Sequence, residues 1–146
     1  MRKPLTTAVA LLTCAGVLAL AAPAEAAPTK PEKRLIAKIN EVRAAKGLRK
    51  LKVGAGLQRG AHSWSLRLLR ANSFRHASGL RAGTGEVLAW GTCKWFRPLE
   101  AVKAWLRSPS HRRLLLRPGF RYVGAGWTRG SWRGVSCVEM AVARVR

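Results

Sequence analysis

The chain has 146 residues, with 28 Lys and Arg against 6 acidic residues and a formal charge of +22. All the acids are Glu, and Arg outnumbers Lys by 19 to 9. The length allows one domain with a sizeable core but not two; the lack of Asp excludes a Ser-His-Asp triad; and the charge favours polyanions and anionic surfaces as partners.

The first element is an export signal. Arg2 and Lys3 precede an uncharged apolar run over 5–20, which ends in Ala24-Glu25-Ala26, small residues at the spacing a signal peptidase reads. The run is short for a membrane-spanning helix. Cys14 follows Thr13, a poor residue before a lipidated cysteine. The expected organisation is a signal peptide over 1–26, a short leader over 27–32 and one domain over 33–146, secreted, monomeric and without a transmembrane segment in its mature form.

A first helix starts at Thr29-Lys30-Pro31-Glu32, which has the capping residue, early proline and box-completing Glu of a helix N-terminus. Leu35, Ile36, Ile39 and Val42 give it an apolar face, and Gly47 stops it. A basic connector over 48–53 leads to a second helix over 56–71, with Leu57, Ala61, Trp64, Leu68 and Leu69 inward. Residues 72–85 read as a loop rich in Gly, Ser and Thr that contains Phe74-Arg75-His76. A third helix over 98–107 carries Leu99, Val102, Trp105 and Leu106 on one side. Ser108-Pro109-Ser110 breaks it and caps a turn over 111–116. Two strands, 122–128 and 132–145, follow with Arg129-Gly130 as their turn. Helices first and a hairpin last predict an α+β domain.

Removing Cys14 with the signal leaves Cys93 and Cys137. An even pair in an oxidising compartment reads as one disulfide, worth about 4 kcal/mol on the chain-entropy model.

The chemical inventory of the mature chain is short: His62, His76 and His111, with Glu32, Glu41, Glu86, Glu100 and Glu139. Glu32, Glu41 and Glu100 fall at helix starts or on helix faces, where Glu is ordinary. Glu86 follows Gly83-Thr84-Gly85 and precedes an apolar run, and His76 lies ten residues earlier in the same loop. There is no Gly-x-Ser-x-Gly, no phosphate-cradling glycine loop and no His-Glu-x-x-His.

Phe74-Arg75-His76, Gly85-Glu86, Trp105-Leu106-Arg107-Ser108-Pro109-Ser110-His111-Arg112 and Gly124-Ala125-Gly126 resemble, in that order, the motifs of the bacterial branch of the CAP superfamily. These are SCP-like extracellular proteins related to cysteine-rich secretory proteins, antigen 5 and plant pathogenesis-related proteins. Asn40 with Arg43, and Ala61-His62-Ser63, fit the family's first two helices. The resemblance implies an α-β-α sandwich with an antiparallel sheet between helical layers. It also implies a cleft lined by a His-Glu-Glu-His tetrad. Carried over by position, His76, Glu86 and His111 fill three of its places, Ser108 falls on the second Glu, and His62 joins from the neighbouring helix. Val87 stands where the family has Asn, and Ser110 where it has Gly.

The resemblance implies a binding module rather than an enzyme. Its ligand would be of lipid type, or a divalent cation such as Zn2+ held by His76, Glu86 and His111. One alternative is a metal- or carboxylate-assisted hydrolase with Glu86 activating water. Another is a basic wall or matrix protein binding anionic polymers or lipid headgroups. No specific nucleic acid is expected.

Overall fold

The computed structural model describes residues 27–146; the expected signal sequence lies outside the described residues. Helices α1 (Lys30–Ala45) and α2 (Ala55–Arg70) flank a short strand β1 (Lys52–Val53). Then come β2 (Gly85–Thr92), α3 (Pro98–Arg107), α4 (Pro109–Leu115), β3 (Tyr122–Trp132) and β4 (Val135–Val145). The sheet order is β1-β3-β4-β2. It is mixed rather than purely antiparallel, because β1 runs parallel to β3 over two residue pairs.

The sheet's two faces carry separate cores, as period-2 alternation dictates. Val87, Val123, Ala125, Trp127, Ala141, Ala143 and Val145 face α1, α3 and α4. Leu88, Trp132, Val138, Met140 and Val142 face α2. The result is the α-β-α sandwich that the resemblance implied. Gly124 and Gly126 explain how closely α2 packs. A Cβ at Gly124 would lie 2.1 Å from the Leu57 carbonyl carbon, and one at Gly126 2.1 Å from the Ala61 oxygen.

Trp105 is buried, and its Nε1–H donates to the Leu88 carbonyl at 2.9 Å, which ties α3 to β2. Leu99, expected on the same apolar side, is instead 42 % exposed; Ala101 and Val102 take the inward positions. On α2 the buried set includes Gln58 and Ser65, while Leu57 is only half-buried.

Two further expectations change. Residues 85–92 form a strand, with Glu86 inside it rather than in a loop. The hairpin turn is Arg133-Gly134, not Arg129-Gly130. Both turn residues have positive φ, 47° and 79°, as tight two-residue hairpin loops require. Arg129 instead pairs with Glu139 directly across the ladder, its Nε donating at 2.9 Å.

Cys93 and Cys137 form the expected disulfide, with Cα atoms 5.5 Å apart, joining the end of β2 to β4. Arg43, also buried, donates from Nε to the Arg49 carbonyl at 2.9 Å and from Nη1 to the Leu115 carbonyl at 2.7 Å. It thereby holds the end of α4 against α1. Burial lowers its pKa from the ordinary value, yet a guanidinium stays charged.

Candidate functional site: a buried carboxylate anchoring a histidine loop

Glu86 and Arg144 are direct partners on β2 and β4. They share the sheet face that α2 covers, since each lies an even number of residues from Leu88 and Val142. Arg144 Nε donates to Glu86 Oε2 at 2.8 Å. The other oxygen, Oε1, accepts the Ala77 backbone N–H at 2.9 Å and the His76 Nδ1–H at 3.0 Å. Glu86's side chain is only 1 % exposed, while that of His76 is 59 % exposed. The carboxylate is therefore the anchor of the 72–84 loop. It fixes His76 with Nδ1 inward and Nε2 free.

His111 lies in the first turn of α4, close enough to His76 to feel its charge. Its pKa is lowered, first by burial and second by His76. The structure thus brings His76 and Glu86 into contact and sets His111 beside them electrostatically. Ser108 Oγ lies 3.2 Å from Ser110 Oγ at the α3–α4 junction. Val87, in the place of the family's Asn, points to the opposite face and is fully buried in the α1–α3 core.

His62 pairs elsewhere. Its Nδ1–H donates to Glu32 Oε1 at 2.7 Å. Glu32 is fully buried and also accepts from the backbone of Thr29 at 2.7 Å and Trp127 at 3.2 Å, and from Gln58 Nε2 at 3.1 Å. Glu32 does complete the expected capping box, but its main work is inside the domain. β1 covers only the start of β3, so the next stretch of that edge lacks a strand partner. Gln58 accepts from Ala125 N–H at 3.0 Å and donates to Ala125 C=O at 2.9 Å, and Glu32 takes the Trp127 N–H. Two side chains stand in for a missing strand.

His76, Glu86 and His111 are the residues expected to hold a metal ion. Among the described residues, no group of three His, Cys, Asp or Glu side chains is placed to hold a metal ion. Both Glu86 oxygens are committed, and one of them is bound to a guanidinium that repels a cation. The expected cleft does not coincide with the grooves nearby. One of about 730 Å³ runs along α4 and one of about 470 Å³ lies beside the start of α2; neither is lined by His76, Glu86 or His111.

Sequence reasoning missed Arg144 and Gln58. Arg144 did carry a signal, as the lone charge within the apolar run Met140–Val145.

The family model for the cysteine-rich secretory protein family, CAP, matches residues 36–139. The chain belongs to the CAP family. YkwD of Bacillus subtilis, itself uncharacterized, is 31 % identical over 110 residues, covering 66 % of this chain and 42 % of that protein. This CAP chain thus spans less than half the length of that relative. An outer surface protein from Borrelia burgdorferi superposes with a TM-score of 0.61 at 22 % identity, over 77 % of this chain and 89 % of that one. NaASP2, solved with Zn2+, gives 0.61 at 11 % identity, over 81 % and 82 %. At these identities the two structures share the CAP fold with this chain. Among the described residues no helix is long and apolar enough to cross a membrane.

Proposed function

We propose that this CAP domain is an exported binding module whose basic exterior engages anionic polymers or surfaces, and that it is not a hydrolase. The observation that carries this reading is where the acids go. Glu32, Glu86 and Glu139 are buried and occupied with structural partners. The two that remain outside, Glu41 and Glu100, are each paired to a lysine one helical turn away. Among the described residues every Glu is thus paired, and the many unpaired lysines and arginines set the sign of the exterior field.

The hydrolase alternative needs a carboxylate free to take a proton from water. Glu86 faces an arginine, a backbone amide and an imidazole, so both its oxygens are already engaged. The Zn2+ of NaASP2 does not carry over by these residues either, for the reasons of geometry and charge given above.

The test is binding of soluble polyphosphate against neutral dextran over a salt series. Saturable binding to polyphosphate alone at 50 mM salt, lost by about 0.5 M, is expected because such attraction is screened within a few ångströms at high salt. Absence of binding at low salt, or indifference to salt, overturns the reading. Calorimetry with zinc at pH 7.5 should show no stoichiometric heat; a one-site isotherm would restore the metal reading.

A further inference from the structure

We infer that the groove between the first turn of α2 and the 79–84 loop is a binding site for one phosphate-ester group, held by Arg81, Arg144 and Arg146. The inference rests on the anionic-ligand reading for the sign of the ligand. It goes further in fixing one place and one chemistry.

The groove measures about 470 Å³ and is lined by Arg81 from the loop, Arg144 from β4 and Arg146 just after it, with Thr84 and Tyr122 beside them. No Asp or Glu is among its lining residues. Arg144 is held from two sides. Its Nε is bonded to Glu86, and its Nη1 lies against α2 where Gly60 has no side chain; a Cβ there would be 2.3 Å from that nitrogen. The Arg144 side chain is 11 % exposed, and neither terminal nitrogen makes a hydrogen bond among the described residues. A guanidinium locked in place with free donors loses little entropy when it takes up an anion. Glu86 offsets one of the three cationic charges. Arg81 and Arg146 have no carboxylate partner among the described residues.

The helical wall adds donors rather than carrying the site. Gly54 precedes α2 with no side-chain cap, and the first turn has no acidic residue. The first amides of α2 therefore border the groove without an intrahelical partner. The volume exceeds what inorganic phosphate fills, so the fitting ligand is a phosphate mono- or diester with a small polyol or sugar attached. A soluble phosphodiester polymer and a phospholipid headgroup share that chemistry. The α4 groove offers Arg112, Arg113 and Arg117 from a single segment, and it serves as the control.

The experiment is an NMR titration of the full domain with glycerol 3-phosphate, comparing wild type, Arg81→Gln and Arg113→Gln. The two variants lose the same charge, and both side chains are exposed, so neither substitution threatens the fold. Saturable shifts centred on the amides of Ala55, Gly56, Leu57 and Thr84 are expected. Arg81→Gln should weaken binding at least tenfold and Arg113→Gln less than twofold. Equal losses, or shifts scattered over the surface, would overturn the site. If polyphosphate binds the wild type without shifts at these amides, the groove fails while the basic-surface reading stands. If polyphosphate does not bind at all, that broader reading fails. Phosphatidylglycerol vesicles distinguish the sources. Co-sedimentation that depends on Arg81 identifies a lipid headgroup, and saturable glycerol 3-phosphate binding without co-sedimentation identifies a soluble ester.

Discussion

Replacing Arg144 by Met keeps most of the side-chain volume and removes the one cation paired with Glu86 Oε2 among the described residues. The carboxylate then sits 1 % exposed with a single backbone amide and an imidazole on its other oxygen. Breaking one side of a buried pair costs about 3–5 kcal/mol. Arg144 retains some contact with solvent, so the lower end applies, about 3 kcal/mol. For a domain of this size that is a fall in melting temperature of roughly 10 °C. Glu86→Gln should also destabilise, because its amide would point donors at Arg144. In the double variant neither group is left facing an unmatched charge, so the loss should fall short of the sum of the two singles by at least about 1 kcal/mol. Urea unfolding followed by Trp fluorescence is the suitable assay, since guanidinium chloride would screen the interaction being measured. Additivity of the two single variants within about 0.5 kcal/mol would show that Glu86 and Arg144 are not coupled, and the account of the anchored loop would be wrong.

Trp105→Ala should cost about 3–5 kcal/mol and reduce yield; a variant that melts with the wild type would show that the indole is not a core element. Gly126→Ala should push α2 off the sheet at a cost of about 1–3 kcal/mol, seen in thermal denaturation, because its Cβ would meet the backbone oxygen of Ala61. Gln58→Leu should release the edge of β3, and hydrogen exchange should show faster exchange at Ala125 than in the wild type. The lowered pKa of His111 means that the folded state prefers the neutral ring. Its contribution to stability should hold above the unfolded value of about 6.5 and be lost as pH falls through the lowered folded value. His111→Gln should flatten the melting profile over that window, and an unchanged profile would contradict the shift.

The helices were legible because their apolar residues recur at helical spacing and their ends carry Pro, Ser and Gly. β2 was not, because its first four residues are all buried and no alternation marks it as a strand. The hairpin turn was misplaced for a related reason. Within the C-terminal stretch Arg-Gly occurs at both 129–130 and 133–134, and local chemistry cannot choose between two identical dipeptides. The choice is made at a distance, by the Arg129–Glu139 pair and the ladder partners around it. His76 and Glu86 were legible through their motifs. The partner of His62 is not legible, because a helix face says nothing of what lies opposite it. Here that is Glu32, 30 residues earlier.

The charge balance joins the fold to the proposed function. Each buried Glu solves a separate structural problem: Glu32 closes the open edge of β3, Glu86 anchors the histidine loop and Glu139 holds Arg129 within the hairpin. Folding thus removes acid from the surface without removing much base. Lys38, Arg43, Arg97, Lys103, Arg129 and Arg144 make hydrogen bonds or ion pairs. Arg67, Lys94, Arg117 and Arg133 lie over aromatic rings. The remaining lysines and arginines of the described chain have no such partner. They repel one another, which destabilises the compact state. An anionic ligand would offset that repulsion. Such a ligand should therefore raise the melting temperature, and go on raising it with the logarithm of its concentration above Kd.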